Sequence, residues 1–259
     1  MTRKVALVSL TIALSILAIG RPVGAKALVA PARVYVSVTD NKNKPLAGLT
    51  AADFKIAIDD KEQEVLSVEP ATEPVDAVII TDRLGLDPAY SNFTVQHALS
   101  GFVKGIRSVP DSRIALTTFD GPVVRITGFN APATDLNKAI GRLSTNATEG
   151  GMLNAIVDAC ELLRDSKTDR KVIFAMFAAY RADTSNQWND KAVMTMWQSG
   201  ASLWALEVQS IGGASGGNAG REEVASLGSR MSGVMRVSVA SAVGLSNQAE
   251  LMASLIAKQ

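Results

Sequence analysis

The sequence predicts an α/β protein, a doubly wound, mostly parallel sheet with helices on both faces, preceded by a small all-β module. Three observations predict it. Val75 to Thr81 is a nearly continuous apolar run, as required of a parallel strand buried on both faces. Behind it, strand-like and helix-like segments alternate to the C-terminus. Ahead of it, from Ala32 to Val68, apolar residues recur with the two-residue period of strands.

In the β module, Val34, Val36 and Val38 alternate with Tyr35, Ser37 and Thr39, and Asp40 to Pro45 forms a polar turn. Phe54–Ile58 and Glu64–Val68 flank Asp59-Asp60-Lys61 and read as a hairpin. At Pro70 to Pro74 the period changes. Helices are then expected at Phe93–Ile106, Asp135–Leu143, Leu153–Leu163, Asp190–Gln198, Glu222–Ser229 and Gln248–Ala257. Strands are expected at Arg113–Phe119, Val123–Ile126, Lys171–Phe177, Ser202–Val208 and Val234–Val239. The close pair around Asp120-Gly121 is the one expected antiparallel piece, and ligands of such sheets bind beyond the carboxyl ends of the strands.

The composition is that of a folded protein: 259 residues, 47% hydrophobic and 20% charged. Its length suits a leader at 1–25, a β module at 26–70 and an α/β domain at 71–259. A formal net charge of +1 argues against a nucleic-acid partner. Cys160 is the single cysteine and His97 the single histidine, which excludes an intramolecular disulfide, paired-thiolate zinc sites and multi-histidine metal centres. Cys160 lies in a helical apolar pattern and is expected to be buried and inert. His97 has no nucleophile or acid at a spacing that would make it a catalytic base.

Thr2-Arg3-Lys4 is a basic start and Val5 to Gly20 an apolar run shorter than a comfortable membrane span, with Val23-Gly24-Ala25 fitting a cleavage site. The chain reads as exported, to a periplasm or outside the cell, and membrane-bound only if the leader is retained. Cleavage after Ala25 removes Arg3, Lys4 and Arg21 and no acid, lowering the charge from +1 by three to −2.

The stretches "VYVSVTDNKNKPLAGLTAADFKIAIDD", "VDAVIITD", "EGGMLNAIVDACELL" and "RKVIFAMFAAYRADTS" follow one another in this order. The arrangement resembles bacterial exported proteins that carry a von Willebrand factor type A (VWFA) domain behind a short β module. That resemblance implies a binding domain whose best-known site, the metal-ion-dependent adhesion site, is built from three loops at the top of the sheet. The family places Asp-x-Ser-x-Ser in the first, a threonine in the second and an aspartate in the third. All are oxygen donors, as Mg²⁺ requires.

Against that pattern the first loop reads Asp82-Arg83-Leu84-Gly85-Leu86, so the aspartate matches and leucines stand at both serine positions. The second reads Gly150-Gly151-Met152, with methionine for threonine, and the third aligns Ala178-Ala179-Tyr180 with Thr-Asp-Gly. One of the five positions survives. No metal and no cofactor are therefore expected, and Asp82 is expected to cap a helix or to pair with Arg83 or Arg181. Leu84, Leu86 and Met152 are expected to meet in an apolar cap, with Tyr180 over it.

Tyr180 and Trp188, beside Arg181, Asn186 and Gln187, have the composition of a protein-binding spot on the loop after a central strand. Trp197 and Trp204 are expected in the core. Gly212 to Gly220, without a lysine partner and followed by Arg221-Glu222-Glu223, reads as a flexible loop rather than a phosphate cradle. The expected function is non-enzymatic protein binding, to another protein or to a second copy, at a loop edge that includes Asp82, Arg83, Leu84, Leu86, Met152, Tyr180, Arg181 and Trp188. The alternatives are a metal-dependent adhesin with a remodelled site using Asp82, Asp87 and Asp183, or a structural subunit of an envelope assembly.

The leader predicts a mature N-terminus near Lys26 or Leu28. Edman sequencing of protein from its native host checks this, and finding Met1 or Thr2 there refutes it.

Overall fold

The computed structural model describes residues 32–41, 44–82, 90–144, 150–210, 221, 224–226, 228 and 234–259. The leader, the first-loop residues Arg83, Leu84, Leu86 and Asp87, the glycine-rich stretch and part of the helix expected at Glu222–Ser229 lie outside them. The chain divides into two compact units, Met1–Pro70 and Ala71–Gln259.

In the first unit, β1 (Ile56–Ile58) pairs antiparallel with β2 (Lys61–Gln63), Ile58 opposite Lys61. The turn is Asp59-Asp60, both with positive φ (49° and 60°), the backbone of the two-residue hairpin whose twist matches its strands. The second strand therefore starts at Lys61 rather than at the expected Glu64, because two aspartates that tolerate left-handed conformations close the turn without a third residue. Ahead of it, Leu46 N–H donates to the Val38 carbonyl and Asp40 N–H to the Lys44 carbonyl, both at 2.9 Å. Thr39 bridges Pro45, but Val34 to Val38 joins no ladder among the described residues. Alternation at these residues does not by itself make a strand, which needs a partner to pair with.

The second unit holds a six-stranded sheet of β3 (Val75–Thr81), β4 (Arg113–Thr118), β5 (Val124–Thr127), β6 (Arg170–Ala178), β7 (Ser202–Val208) and β8 (Arg236–Val239), in the order β5-β4-β3-β6-β7-β8. All neighbours are parallel except β4 and β5, which meet through the expected turn around Gly121. β3 is buried at every residue, as its apolar run requires. Its one charge, Asp76, is paired: Arg113 Nε and Nη2 donate to the two carboxylate oxygens at 2.9 and 2.5 Å, and Ser166 Oγ donates at 2.6 Å. That hydrogen-bonded carboxylate raises the Arg113 pKa above its ordinary value, against some desolvation.

Helices cover both faces. On one side α1 (Asn92–Ile106), α2 (Ala133–Gly141) and α5 (Ala242–Ala257) pack against Val75, Ala77, Ile79, Phe174 and Trp204. On the other, α3 (Met152–Arg164) and α4 (Asn189–Ser199) cover Val78, Ile80, Ile173, Phe177 and Leu203. Gly101 and Gly105 let α1 approach α5 closely, for a Cβ at Gly105 would lie 2.5 Å from that of Ala253. α5 begins at Ala242, earlier than the expected Gln248, because Ser241 caps it by accepting from Gly244 N–H at 3.0 Å.

Trp204 is in the core as expected, but Trp197 is 52% exposed. α4 directs Ala192 and Met196 inward, and Trp197 lies about 100° round the helix from Met196, on the outer side. His97 is exposed and stacks on Phe93. Cys160 is buried on α3, and burial pushes its thiol up to about 11. At pH 8 the thiol stays protonated, so iodoacetamide should leave the native protein unlabelled and modify it once after unfolding in urea, as read by intact mass.

Candidate functional site

The strand order reverses between β3 and β6, and in open parallel sheets this reversal leaves a crevice beyond the carboxyl ends of the two strands. Asp82 follows β3 directly and lies in that position, fully buried. A carboxylate without water must be paired or give up its charge. Ala178 N–H, at the end of β6, donates to its Oδ2 at 3.1 Å and lies 3.3 Å from Oδ1.

The cationic partner is Arg221, which is also fully buried. Its Nη1 donates to Asp82 Oδ2 at 2.8 Å and to the Ala178 carbonyl at 3.1 Å, and its Nη2 donates to the Gly150 carbonyl at 2.8 Å. Its Nε lies 3.5 Å from Asp183 Oδ2, and the guanidinium carbon is 5.4 Å from the centre of the Phe119 ring. One planar cation thereby joins the end of β3, the start of α3 and the loop after β6. Arginine suits this task, since its rigid fork addresses several acceptors at once and its charge persists in the interior.

Each neighbouring loop is shaped around that group. A Cβ on Gly150 would overlap the Phe119 carbonyl, so only glycine lets the chain pass close enough for its own carbonyl to reach Arg221. Gly150 also bridges Asp183. Asp183 Oδ2 accepts from Met152 N–H at 2.8 Å and its Oδ1 from Ser185 N–H at 2.9 Å. The carboxylate thus sits on the N-terminus of α3, where the unpaired N–H groups and the helix dipole favour a negative charge.

Asp82 and Arg221, then, form a buried pair, whereas the sequence pointed to a helix cap or to Arg83 or Arg181. The reason is topological: 139 residues separate the partners, and only the sheet order brings them together. Arg181 is half-buried, its N–H donating to the Ala178 carbonyl at 3.3 Å. Met152 is buried in the core shared with Ile80 and Phe119, while Tyr180 packs against the core on the opposite face, so the two belong to different clusters rather than to one cap. Trp188 precedes α4 and is 81% exposed. Arg83, Leu84, Leu86 and Asp87 lie outside the described residues.

Arg221 and the Gly150 and Ala178 carbonyls are what the sequence reading missed. A signal for Arg221 existed, because a cation at the start of a helix opposes the helix dipole and calls for an anion nearby. Among the described residues, no three His, Cys, Asp or Glu side chains are grouped so as to hold a metal ion.

No family model and no curated protein matches the sequence. Solved structures do match the fold. A von Willebrand factor type A structure from Catenulispora acidiphila is similar with a TM-score of 0.54 at 14% identity, over 72% of this chain and 43% of that one. The conserved hypothetical protein BatB from Bacteroides thetaiotaomicron gives 0.52 at 11% identity, over 70% and 98%. Proximal thread matrix protein 1 from the mussel byssus gives 0.51 at 13% identity, over 73% of this chain and 50% of its own length, and it has also been solved with a zinc-occupied metal-ion-dependent adhesion motif. The likeness is one of fold: the second unit has the mixed α/β architecture of von Willebrand factor type A domains.

Removing one member of a buried ion pair strands the other, at a cost of about 3–5 kcal/mol. Asp82→Ala should lower the unfolding free energy by that amount in a urea titration, and a loss below about 1 kcal/mol would show that Arg221 does not depend on it.

Proposed function

We propose that the protein is an exported, non-enzymatic binding module, a VWFA-like domain that recognises another protein, or its own copy, without a metal ion. The observation that carries this reading is the indole of Trp188, 81% exposed on the loop between β6 and α4, with Met194 and Trp197 of α4 each 52% exposed. Large apolar side chains facing water beside polar Asn186 and Gln187 have the make-up of an interaction site. Domains of this fold are commonly protein-interaction modules, which supports the same reading.

Metal independence is supported by the donor set. The mussel protein takes zinc at its adhesion motif. Here a guanidinium and backbone N–H groups already engage Asp82 and Asp183, and Met152 brings no hydroxyl. The residues present do not fit a divalent ion: within about 4 Å of the guanidinium it would meet a repulsion of about 8 kcal/mol at an effective dielectric constant of 20. That counts against the adhesin alternative built on Asp82, Asp87 and Asp183. A non-enzymatic role is supported by the exposed, Phe93-stacked His97 and by the protonated, buried Cys160 thiol, neither of which is placed as a nucleophile or base. Export rests on the leader, and among the described residues no helix is long and apolar enough to cross a membrane.

Trp188→Ala removes exposed surface and should leave the melting temperature unchanged. If the indole is a contact, partner capture from envelope fractions, or self-association in sedimentation velocity, should weaken about tenfold or more. Unaltered capture and unaltered association would remove Trp188 from the site and the reading with it.

A further inference from the structure

We propose that the Arg221 guanidinium is a built-in cation, occupying the seat between the three loops that a bound ion would otherwise fill and holding those loops together without exchange with solvent. Four contacts define the seat: the Asp82 carboxylate at 2.8 Å, the Gly150 carbonyl at 2.8 Å, the Ala178 carbonyl at 3.1 Å and the Asp183 carboxylate at 3.5 Å. These are two anions and two carbonyl dipoles converging on one point, all of them acceptors of the kind that a cation gathers. They come from the residue after β3, from just before α3 and from the end of β6 with its following loop, so the cation links chain segments on both sides of the reversal of strand order.

The alternative, that Arg221 is only a long side chain filling space, leaves the convergence unexplained. A filler needs apolar neighbours, whereas here the polar atoms of three loops point at its nitrogens. The Gly150 backbone is brought against the Phe119 carbonyl, a position no side chain permits, and from there its own carbonyl reaches Nη2. Because the guanidinium is wholly buried, no carboxylate of a partner can reach it as it would reach an exposed metal ion. Binding at this edge then has to use the rim. A built-in cation rests on the metal-independent reading above, but it concerns Asp82, Gly150 and Asp183 rather than Trp188. Stability and partner capture therefore report on the two separately.

The test empties the seat and refills it. Arg221→Ala should lower the melting temperature by roughly 10 °C, because it leaves two buried carboxylates without their cation. Guanidinium chloride or MnCl₂ at low millimolar concentration, compared with NaCl of equal ionic strength, should restore several degrees in a saturable way, as a ligand of the folded state does. The wild-type protein and the Arg221→Ala/Asp82→Ala double variant should respond to neither salt. The proposal is overturned if Arg221→Ala is as stable as wild type, if neither cation rescues it, or if Mn²⁺ stabilises the wild-type protein. Should Arg221→Ala not fold, Arg221→Lys and Arg221→Met decide between charge and bulk. A built-in cation requires the lysine variant to melt higher than the methionine variant, and the reverse order refutes it.

Discussion

A carboxylate placed where strand order reverses has to be neutralised, and the Asp82–Arg221 pair is how this chain does it. The reversal puts the ends of β3 and β6 side by side with no crossover connection above them, so backbone groups and side chains from several loops converge on one enclosed point. In the interior an unpaired charge costs several kcal/mol, and the cost is offset only when the pair is well aligned and its remaining hydrogen-bonding groups are satisfied. Arg221 meets most of that condition: its two terminal nitrogens donate to acceptors from three loops, while its Nε faces Asp183 at 3.5 Å without a hydrogen bond. The glycine at 150, the position of Asp183 on the α3 N-terminus and the ring of Phe119 beneath the guanidinium all follow from accommodating it.

This accounts for a division of labour among the charges of the second unit. Asp76 and Glu207 are also buried, but their arginine partners, Arg113 and Arg236, are 41% and 33% exposed and lie on neighbouring strands. Those pairs join two strands each and keep one end in water. The Asp82–Arg221 pair is the one among these three with both members wholly enclosed, and the one that ties separate loops. Its contribution is to the arrangement of the sheet's upper edge more than to net stability, since a buried pair gains little over a well-packed apolar substitute.

The same distinction explains how much was legible in the sequence. β3, β7 and the helices α1 and α3 were legible to within a residue or so, because burial on both faces of a strand, or on one face of a helix, leaves a periodic record in neighbouring residues. The start of α5 left a weaker record: Gly244 and Ser246 interrupt its apolar pattern, and the serine cap at 241 sets the boundary instead. The β1–β2 register turned on the φ angles of two aspartates, which composition does not specify. At the candidate site, Asp82 was legible from its place after a buried strand, and the missing hydroxyls from residue types alone. Arg221 was not, since a contact across 139 residues leaves no periodic trace, and the only local hint was a cation placed against a helix dipole.

A cation carried by the chain differs from one taken from solution in what it makes of the loop edge. A bound ion can leave, its occupancy varies with concentration, and an open coordination position lets a partner's carboxylate complete it. A guanidinium held by its own backbone has no concentration dependence and, once enclosed, no open position. The edge is therefore fixed in one arrangement as soon as the domain folds, and under the proposed binding role recognition would fall to the residues around the crevice rather than to its centre. Trp188, just before α4, is a large apolar side chain that faces water at this edge, as are Phe93 at the start of α1 and Val243 at the start of α5, and apolar contact is the recognition chemistry that the proposed neutralised centre would leave.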